Sequence, residues 1–351
     1  MLNYVSSNRR QAMRAVGYQH SLPIDQDASL IDVELPRPEP GPRDLLVEIK
    51  AISLNPVDTK VRMRAQPEPG GVKVLGYDAA GVVRGVGAEV SLFKEGDEVF
   101  YAGAITRQGT NAEFHVVDER LVGAKPKSLT FEEAAALPLT TLTAWETLFD
   151  RLEVKRPVKG AANAILIVGA GGGVGSVAIQ LARQLTDLTV IATASRPQTQ
   201  AWVKELGAHH VIDHSQPLAA QVDALGIGAP AFVFSITHTE THFPEIAKAI
   251  SPQGRFALID DPKAPLDISQ LKGKSVSIHW ESMFTRSTFQ TADMERQHEI
   301  LTEASRLVDA GTIRTTLSDV IGPINAANLK RAHALIESNR TRGKIVLSGF
   351  K

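Results

Sequence analysis

The sequence predicts an α/β protein made of a doubly wound parallel sheet and a second, β-rich unit. Three observations carry that prediction. An apolar run from Ala164 to Ala170 enters a glycine turn and then a helical pattern. From about residue 128 onward, apolar strands alternate with helical stretches, as in right-handed βαβ units on a parallel sheet. The first third reads instead as strands punctuated by Gly and Pro, the texture of barrel-like antiparallel sheets.

Length and composition narrow the possibilities. The 351 residues suggest about two domains and a sizeable core. Lys and Arg total 38 against 39 Asp and Glu, a net charge of −1, which removes the electrostatic case for a nucleic-acid or anionic-membrane partner. There is no cysteine, which excludes disulfides, a thiol nucleophile, iron–sulfur clusters and thiolate zinc sites. The opening MLNYVSSNRRQAM has two arginines but no apolar core after them, so it is not a secretory leader, and the residues before Met13 read as an unstructured extension. The stretch Ala164–Gly175 is too short and Gly-rich to span a bilayer. A cytoplasmic protein is expected.

In chain order, Met13–Tyr18, Leu30–Pro36 and Asp44–Leu54 are β-rich runs, followed by glycine-punctuated strand patterns from Val74 to Gly87 and around Gly96–Gly103. SLTFEEAAALP reads as a short helix with a Ser cap and acids in its first turn, and TTLTAWETLFD as a second helix ending near Arg156-Pro157. Five apolar strands follow, at 164–170, 188–194, 210–214, 231–236 and 255–260, with helices between them. Ser275–Ser282 is one further strand. Two helix–strand pairs close the chain.

The glycine turn carries chemistry. Ala170, Gly172 and Gly175 stand in register with G-x-G-x-x-G between a strand and a helix. Absent side chains let the backbone approach a pyrophosphate, Gly175 lets the helix pack on the strand, and the helix start, with Gly173 and Val174, offers N–H groups to phosphate oxygens. After the second strand an NAD site carries an acid for the ribose hydroxyls. Here Ser195 and Arg196 occupy that place, with no acid between Asp187 and Glu205. A carboxylate would repel a 2′-phosphate, whereas Ser and Arg bind one. NADPH is therefore expected over NADH.

These residues resemble the medium-chain dehydrogenase/reductases, specifically the zinc-free quinone oxidoreductase branch that includes zeta-crystallin. Leu166, Ala170–Gly173, Gly175, Gln180 and Arg183 follow its nucleotide signature, although Ala162-Asn163 fits less well. Asn55-Pro56-Val57-Asp58 resembles its active-site N-x-x-D stretch, and Gly76-Tyr77-Asp78-Ala79-Ala80-Gly81 stands where zinc members carry G-H-E-x-x-G. Gly96–Val99 and Ala134–Pro138 are also similar. The resemblance implies a GroES-like catalytic domain at 1–138, a Rossmann-type NADP-binding domain at 139–283, and a return at 284–351 that completes the catalytic domain.

It also implies site residues. Where zinc members hold the metal by Cys, His, and Cys or Asp, this sequence has Asn55, Tyr77 and, near the third place, Leu139. Amide and phenol are poor ligands beside thiolate and imidazole, so no catalytic zinc is expected. Without metal, developing oxyanion charge must be met by hydrogen bonds, which suits quinones and enones, whose charge is delocalised. The resemblance sets Asn55 at the nicotinamide–substrate contact and Thr143 beside the cofactor; Tyr77 is either the nearest proton donor or a filler of the space the zinc His would occupy. Lys60 and Arg62 are further donors at the cleft rim, and Asp58 is a structural hydrogen-bond partner, since hydride addition needs a proton donor. Asn339, Arg340 and Lys344 stand where relatives bring a cation to the 2′-phosphate. Pro244 argues for a loop around His238 and His242, so these histidines do not form a helical metal pair. Ser275–Ser282 resembles an edge strand that pairs across a twofold axis, and a homodimer is expected. The expected activity is NADPH-dependent reduction of a small-molecule quinone or enone. An alcohol dehydrogenase with an atypical metal and a non-catalytic NADPH-binding protein are the alternatives.

Overall fold

The computed structural model describes residues 12–350. The expected N-terminal extension, and the residues read against a leader, lie almost wholly outside them, and Ala12 already belongs to the first strand. In chain order the β-rich part contains β1 (Ala12–Tyr18), β2 (Ile31–Pro36), β3 (Asp44–Ser53), α1 (Pro56–Arg64), β4 (Lys73–Val74), β5 (Ala79–Val86), β6 (Glu98–Tyr101), β7 (Phe114–Asp118) and β8 (Val122–Ala124). Two helices, α2 (Phe131–Ala135) and α3 (Pro138–Trp145), lead out of it. Thr130, not Ser128, caps α2: its hydroxyl accepts from Glu133 N–H while the Glu133 carboxylate accepts from Thr130 N–H, a reciprocal pair that satisfies two orphan donors. Ser128 is instead bound to Asp309.

The α/β part alternates strictly: β9 (Ala162–Val168), α4 (Gly173–Leu185), β10 (Thr189–Thr193), α5 (Pro197–Glu205), β11 (His210–Ile212), α6 (Leu218–Ala224), β12 (Pro230–Ser235), α7 (Thr239–Ala249), β13 (Arg255–Leu258) and β14 (Ser277–Trp280). These strands form one parallel sheet in the order β11-β10-β9-β12-β13-β14. Alternate residues face opposite sides, as pleating requires. Ile165 and Ile167 join the core that includes Val177 and Leu181 of α4, whereas Leu166 and Val168 pack with Phe243 and Ile246 of α7. Helices therefore cover both faces, which is the Rossmann-type, doubly wound arrangement.

One expectation fails here. The stretch around His238 and His242 is not a loop: α7 starts at Thr239, with His238 as its N-cap, and runs through Pro244. Pro244 lies inside the helix and removes the bond its N–H would make to the Glu240 carbonyl, a loss offset by the burial of Phe243 and Ile246 on either side of it.

After β14 come α8 (Thr285–Phe289), α9 (Arg296–Asp309), β15 (Leu317–Gly322), α10 (Ala326–Glu337) and β16 (Lys344–Ser348). β16 lies parallel to β15 and antiparallel to β3, with Val346 opposite Ser53. The C-terminal strands thereby extend the large sheet of the β-rich, GroES-like part. No helix among the described residues is long and apolar enough to cross a membrane.

Candidate active site

Two surfaces meet at the start of α4. The glycine turn after β9 needs its glycines. A Cβ at Gly175 would lie 2.3 Å from the Ala170 carbonyl oxygen, and Gly169 has a φ of +80°, a region that disfavours side chains. Gly172 is different: a Cβ there would meet nothing within 4 Å. Its backbone faces open space at the N-terminus of a 13-residue helix, where the helix dipole and orphan N–H groups attract phosphate. Gly173 and Val174 open that helix. This cradle fits a dinucleotide.

The turn is held from both sides. Gly169 N–H donates to Thr193 Oγ1, which also contacts His214 Nδ1 at 3.0 Å. β11 ends at Ile212, opposite Thr193, and two residues later His214 turns back onto the Thr193 hydroxyl, close enough for the Arg196 charge to act on it. Arg196 is half-buried and Nη1 donates to the Arg340 carbonyl at 2.8 Å. Gly343 pairs with Gly172, its N–H donating to Gly171 O. Arg342 stacks on Trp202 at 5.1 Å, and Trp202 Nε1 donates to Ser176 Oγ on α4. The segment carrying Asn339 and Arg340 thus crosses the glycine turn beside Ser195 and Arg196.

Lys344 does not join that cationic group. Its side chain turns inward, 3% exposed, and its ammonium donates to Leu54 O and to Asn55 Oδ1 at 2.6 Å and pairs with Asp78 Oδ2 at 3.0 Å. An ammonium has three protons, and all three have acceptors. Asn55 caps α1 and donates Nδ2–H to Asp78 Oδ2 at 2.7 Å. Asp78 Oδ1 accepts Leu139 N–H at the start of α3, the helix that carries Thr143. Thr143 Oγ1 donates to Leu139 O at 2.8 Å. Asp58 accepts from Asn55 N–H and Gly76 N–H; burial pushes its pKa up to about 7, against those two N–H groups and the Lys344 charge. Burial likewise raises Asp78 and lowers Lys344, each opposed by the other's charge.

Tyr77 sits beside this network, 1% exposed, with its ring edge-on to Phe284 at 5.4 Å. Its hydroxyl is buried and has no hydrogen-bond partner among the described residues. Burial holds its pKa above the ordinary tyrosine value, with the Asp58 and Tyr18 charges adding to the rise.

Of the two further donors expected at the cleft rim, Arg62 lies elsewhere. Arg62 is buried between α1 and α10, donating to Leu22 O and Glu337 and touching His333 Nδ1 at 2.8 Å. It is not at a rim, because α10 packs over that face of α1. Lys60 pairs with Asp261 at 3.2 Å. Asn55, Tyr77 and Thr143 are brought to one neighbourhood through the Asp78 network. Asp78 and Phe284 take part without having been singled out; the cue for Asp78 was its place inside the Gly76–Gly81 segment.

The donor set does not suit zinc. Asn55 is committed to Asp78 and Lys344, Leu139 is hydrocarbon, Tyr77 is held protonated, and the cation facing Asp78 is an ammonium. Among the described residues no group of three or more His, Cys, Asp or Glu could hold a metal ion.

Residues 41–141 match the alcohol dehydrogenase GroES-like domain, and residues 206–347 match the zinc-binding dehydrogenase family. A crystal structure from Rhizobium etli CFN 42, described as a zinc-dependent alcohol dehydrogenase protein, is 65% identical with a TM-score of 0.96, covering 97% of this chain and 99% of that one. The quinone oxidoreductase of Pseudomonas aeruginosa is 31% identical across 88% of this chain and 92% of its own length. A mycobacterial protein solved with NADPH is 27% identical with a TM-score of 0.80, covering 96% of this chain and 99% of that one.

Proposed function

The chain belongs to the medium-chain dehydrogenase/reductase superfamily, and from that premise we propose that it is an NADPH-dependent oxidoreductase that reduces a quinone or an α,β-unsaturated carbonyl without catalytic zinc. One observation carries this reading: the Tyr77 hydroxyl is buried, unpartnered and next to a closed amide–carboxylate–ammonium network. A buried hydroxyl without a partner costs free energy, and a substrate oxygen would relieve that cost.

The α4 N-terminus with Gly172, Gly173, Val174 and Gly175 would hold the pyrophosphate, and Ser195 and Arg196, with Asn339 and Arg340, the 2′-phosphate. Thr143 would lie along the nicotinamide end. When bound, the reduced nicotinamide supplies the hydride. The chain's part is positional and electrostatic. Tyr77, kept protonated by its surroundings, donates a hydrogen bond to the acceptor oxygen as negative charge builds there. Asn55 keeps one amide proton beyond its bond to Asp78 for the same neighbourhood. Conjugated acceptors suit two neutral donors, because their charge is spread; a simple ketone or aldehyde needs a stronger electrophile. The zinc in the names of the matched dehydrogenase family and of the Rhizobium etli structure finds no matching donors here, so alcohol oxidation is the weaker reading.

A homodimer paired through the outer edge of β14, located in the cytoplasm, completes the proposal. Trp280 on that edge is 59% exposed, and an uncovered strand edge favours self-association. The test is stopped-flow NADPH oxidation against a panel of quinones, enones, ketones and aldehydes. Turnover confined to conjugated acceptors supports the reading; NADPH binding without turnover on any of them rejects it.

A further inference from the structure

We propose that Lys344 is a positioning residue for reduction at this site, fixing the Asn55 amide from the C-terminal strand, and is not a phosphate ligand. The proposal rests on the reading that the nicotinamide end lies against Asn55.

Three observations converge on the side chain. Its backbone is anchored, with Lys344 N–H donating to Thr316 O at 2.9 Å. Its methylenes lie along the start of α4: a Cβ at Gly173 would fall 2.7 Å from Lys344 Cδ and 3.3 Å from Cγ. Gly173 is therefore required for passage of this side chain as well as for any phosphate. Its ammonium ends in an enclosed nest of three acceptors, Leu54 O, Asn55 Oδ1 and Asp78 Oδ2. One side chain thus spans from the cofactor helix to the polar floor of the site.

The nest has an orienting consequence. An Asn amide can sit either way round unless its neighbours differ. Here Oδ1 faces an ammonium, which can only donate, and Nδ2 faces a carboxylate at 2.7 Å, which when ionised can only accept. The flipped amide would set N–H against ammonium and oxygen against carboxylate. Lys344 and Asp78 together fix one orientation and leave the second Nδ2 proton in a defined direction. Asp78 also caps α3 through Leu139 N–H, so the same carboxylate holds the helix bearing Thr143. The ammonium has no free proton to offer a 2′-phosphate, and its partners are the active-site residues.

A purely structural ion pair would place the same atoms together, so the test must separate the two roles. K344M leaves Asp78 buried without its cation and is expected to be destabilised. The double variant D78N/K344M removes both charges and recovers thermal stability, but Asn55 then loses the ammonium on Oδ1 and the carboxylate on Nδ2 that fix its native orientation. Wild type and both variants are compared by fluorescence titration with NADPH and NADH, by thermal melting, and by kinetics with 1,4-benzoquinone. The expected result is a ratio of NADPH to NADH affinity within about twofold of wild type in both variants. The double variant should show a melting point near wild type and a kcat lowered by about 100-fold, the scale of a misplaced reacting group, with the quinone KM little changed. A collapse of the cofactor ratio in K344M would make Lys344 a phosphate ligand and overturn the proposal. Wild-type kcat in the double variant would reduce Lys344 to an ion-pair partner and overturn it too. If wild type itself fails to oxidise NADPH with any acceptor, the functional reading falls and this role falls with it, an outcome distinct from the other two.

Discussion

Arg196 Nη1 donates to the carbonyl oxygen of Arg340 at 2.8 Å, tying the turn after β10 to the segment that crosses the glycine turn. The bond uses one guanidinium proton of five. The remaining face of Arg196 lies beside Ser195 and His214, whose pKa is lowered mainly by burial and in small part by the Arg196 charge. This is where a 2′-phosphate would be distinguished from a hydroxyl. Arg196→Asp replaces a charge-assisted bond with a repulsion. NADPH affinity should fall by about 100-fold, the equivalent of roughly 2.8 kcal/mol, while NADH affinity changes little. Fluorescence titration decides it; equal losses for the two cofactors would remove the assignment.

Tyr77→Phe keeps the ring against Phe284 and deletes only the hydroxyl. Because that oxygen has no partner among the described residues, the variant should be as stable as wild type or slightly more so. Its kcat for quinone reduction should fall by about 100-fold, the range seen when one oxyanion donor is removed. Melting and steady-state kinetics on the same preparation check both halves. A stable variant with unchanged kcat would show that Tyr77 only fills space.

His333 gives the fold an acid-sensitive joint between α10 and α1. Its Nδ1 faces Arg62 Nη1 at 2.8 Å, so the ring must be neutral to accept. Burial first, and the Arg62 charge second, lower its pKa from 6.5 to about 3. The folded state resists protonation, so the stability this group contributes is present above pH 6.5 and is lost as pH falls toward 3. Asp58 works in the opposite sense: with a pKa raised to about 7, its contribution grows as pH falls from 7 toward the ordinary carboxylate range. Comparison with His333→Gln isolates the histidine, since Gln can still accept from Arg62 but does not titrate. Between pH 6.5 and pH 5 wild type should lose about 1.6 kcal/mol relative to the variant, measured by urea unfolding. Parallel pH profiles would contradict this.

Association through β14 makes a simpler prediction. Wild type should scatter light as a dimer at micromolar concentration, and Trp280→Glu should raise the dissociation constant by tenfold or more, about 1.4 kcal/mol. A monomeric wild type would reject the interface.

Much of the architecture is legible in the residues, because alternating strand and helix patterns at 164–260 leave few topologies other than a parallel sheet. The glycine turn is legible for the same reason: Gly175 must approach Ala170 O at a distance no side chain allows. Pro244 misleads, because the burial of Phe243 and Ile246 holds α7 together despite the backbone bond that the ring removes. Lys344 and Arg62 mislead for a different reason. Their positions along the chain suggest charge at a surface, but only the packing of β16 on β3 and of α10 on α1 determines which way a long side chain turns. The Asn55–Asp78–Lys344 network joins residues nearly 290 positions apart, and no local pattern announces it.

The central claim is that protein donors alone activate the acceptor. It is tested most directly by quinone-dependent NADPH oxidation after exhaustive dialysis against chelator, with metal content measured on the same sample. Undiminished kcat in protein carrying only trace metal is the predicted result. Loss of turnover on chelation, restored by adding stoichiometric Zn²⁺, would contradict the account.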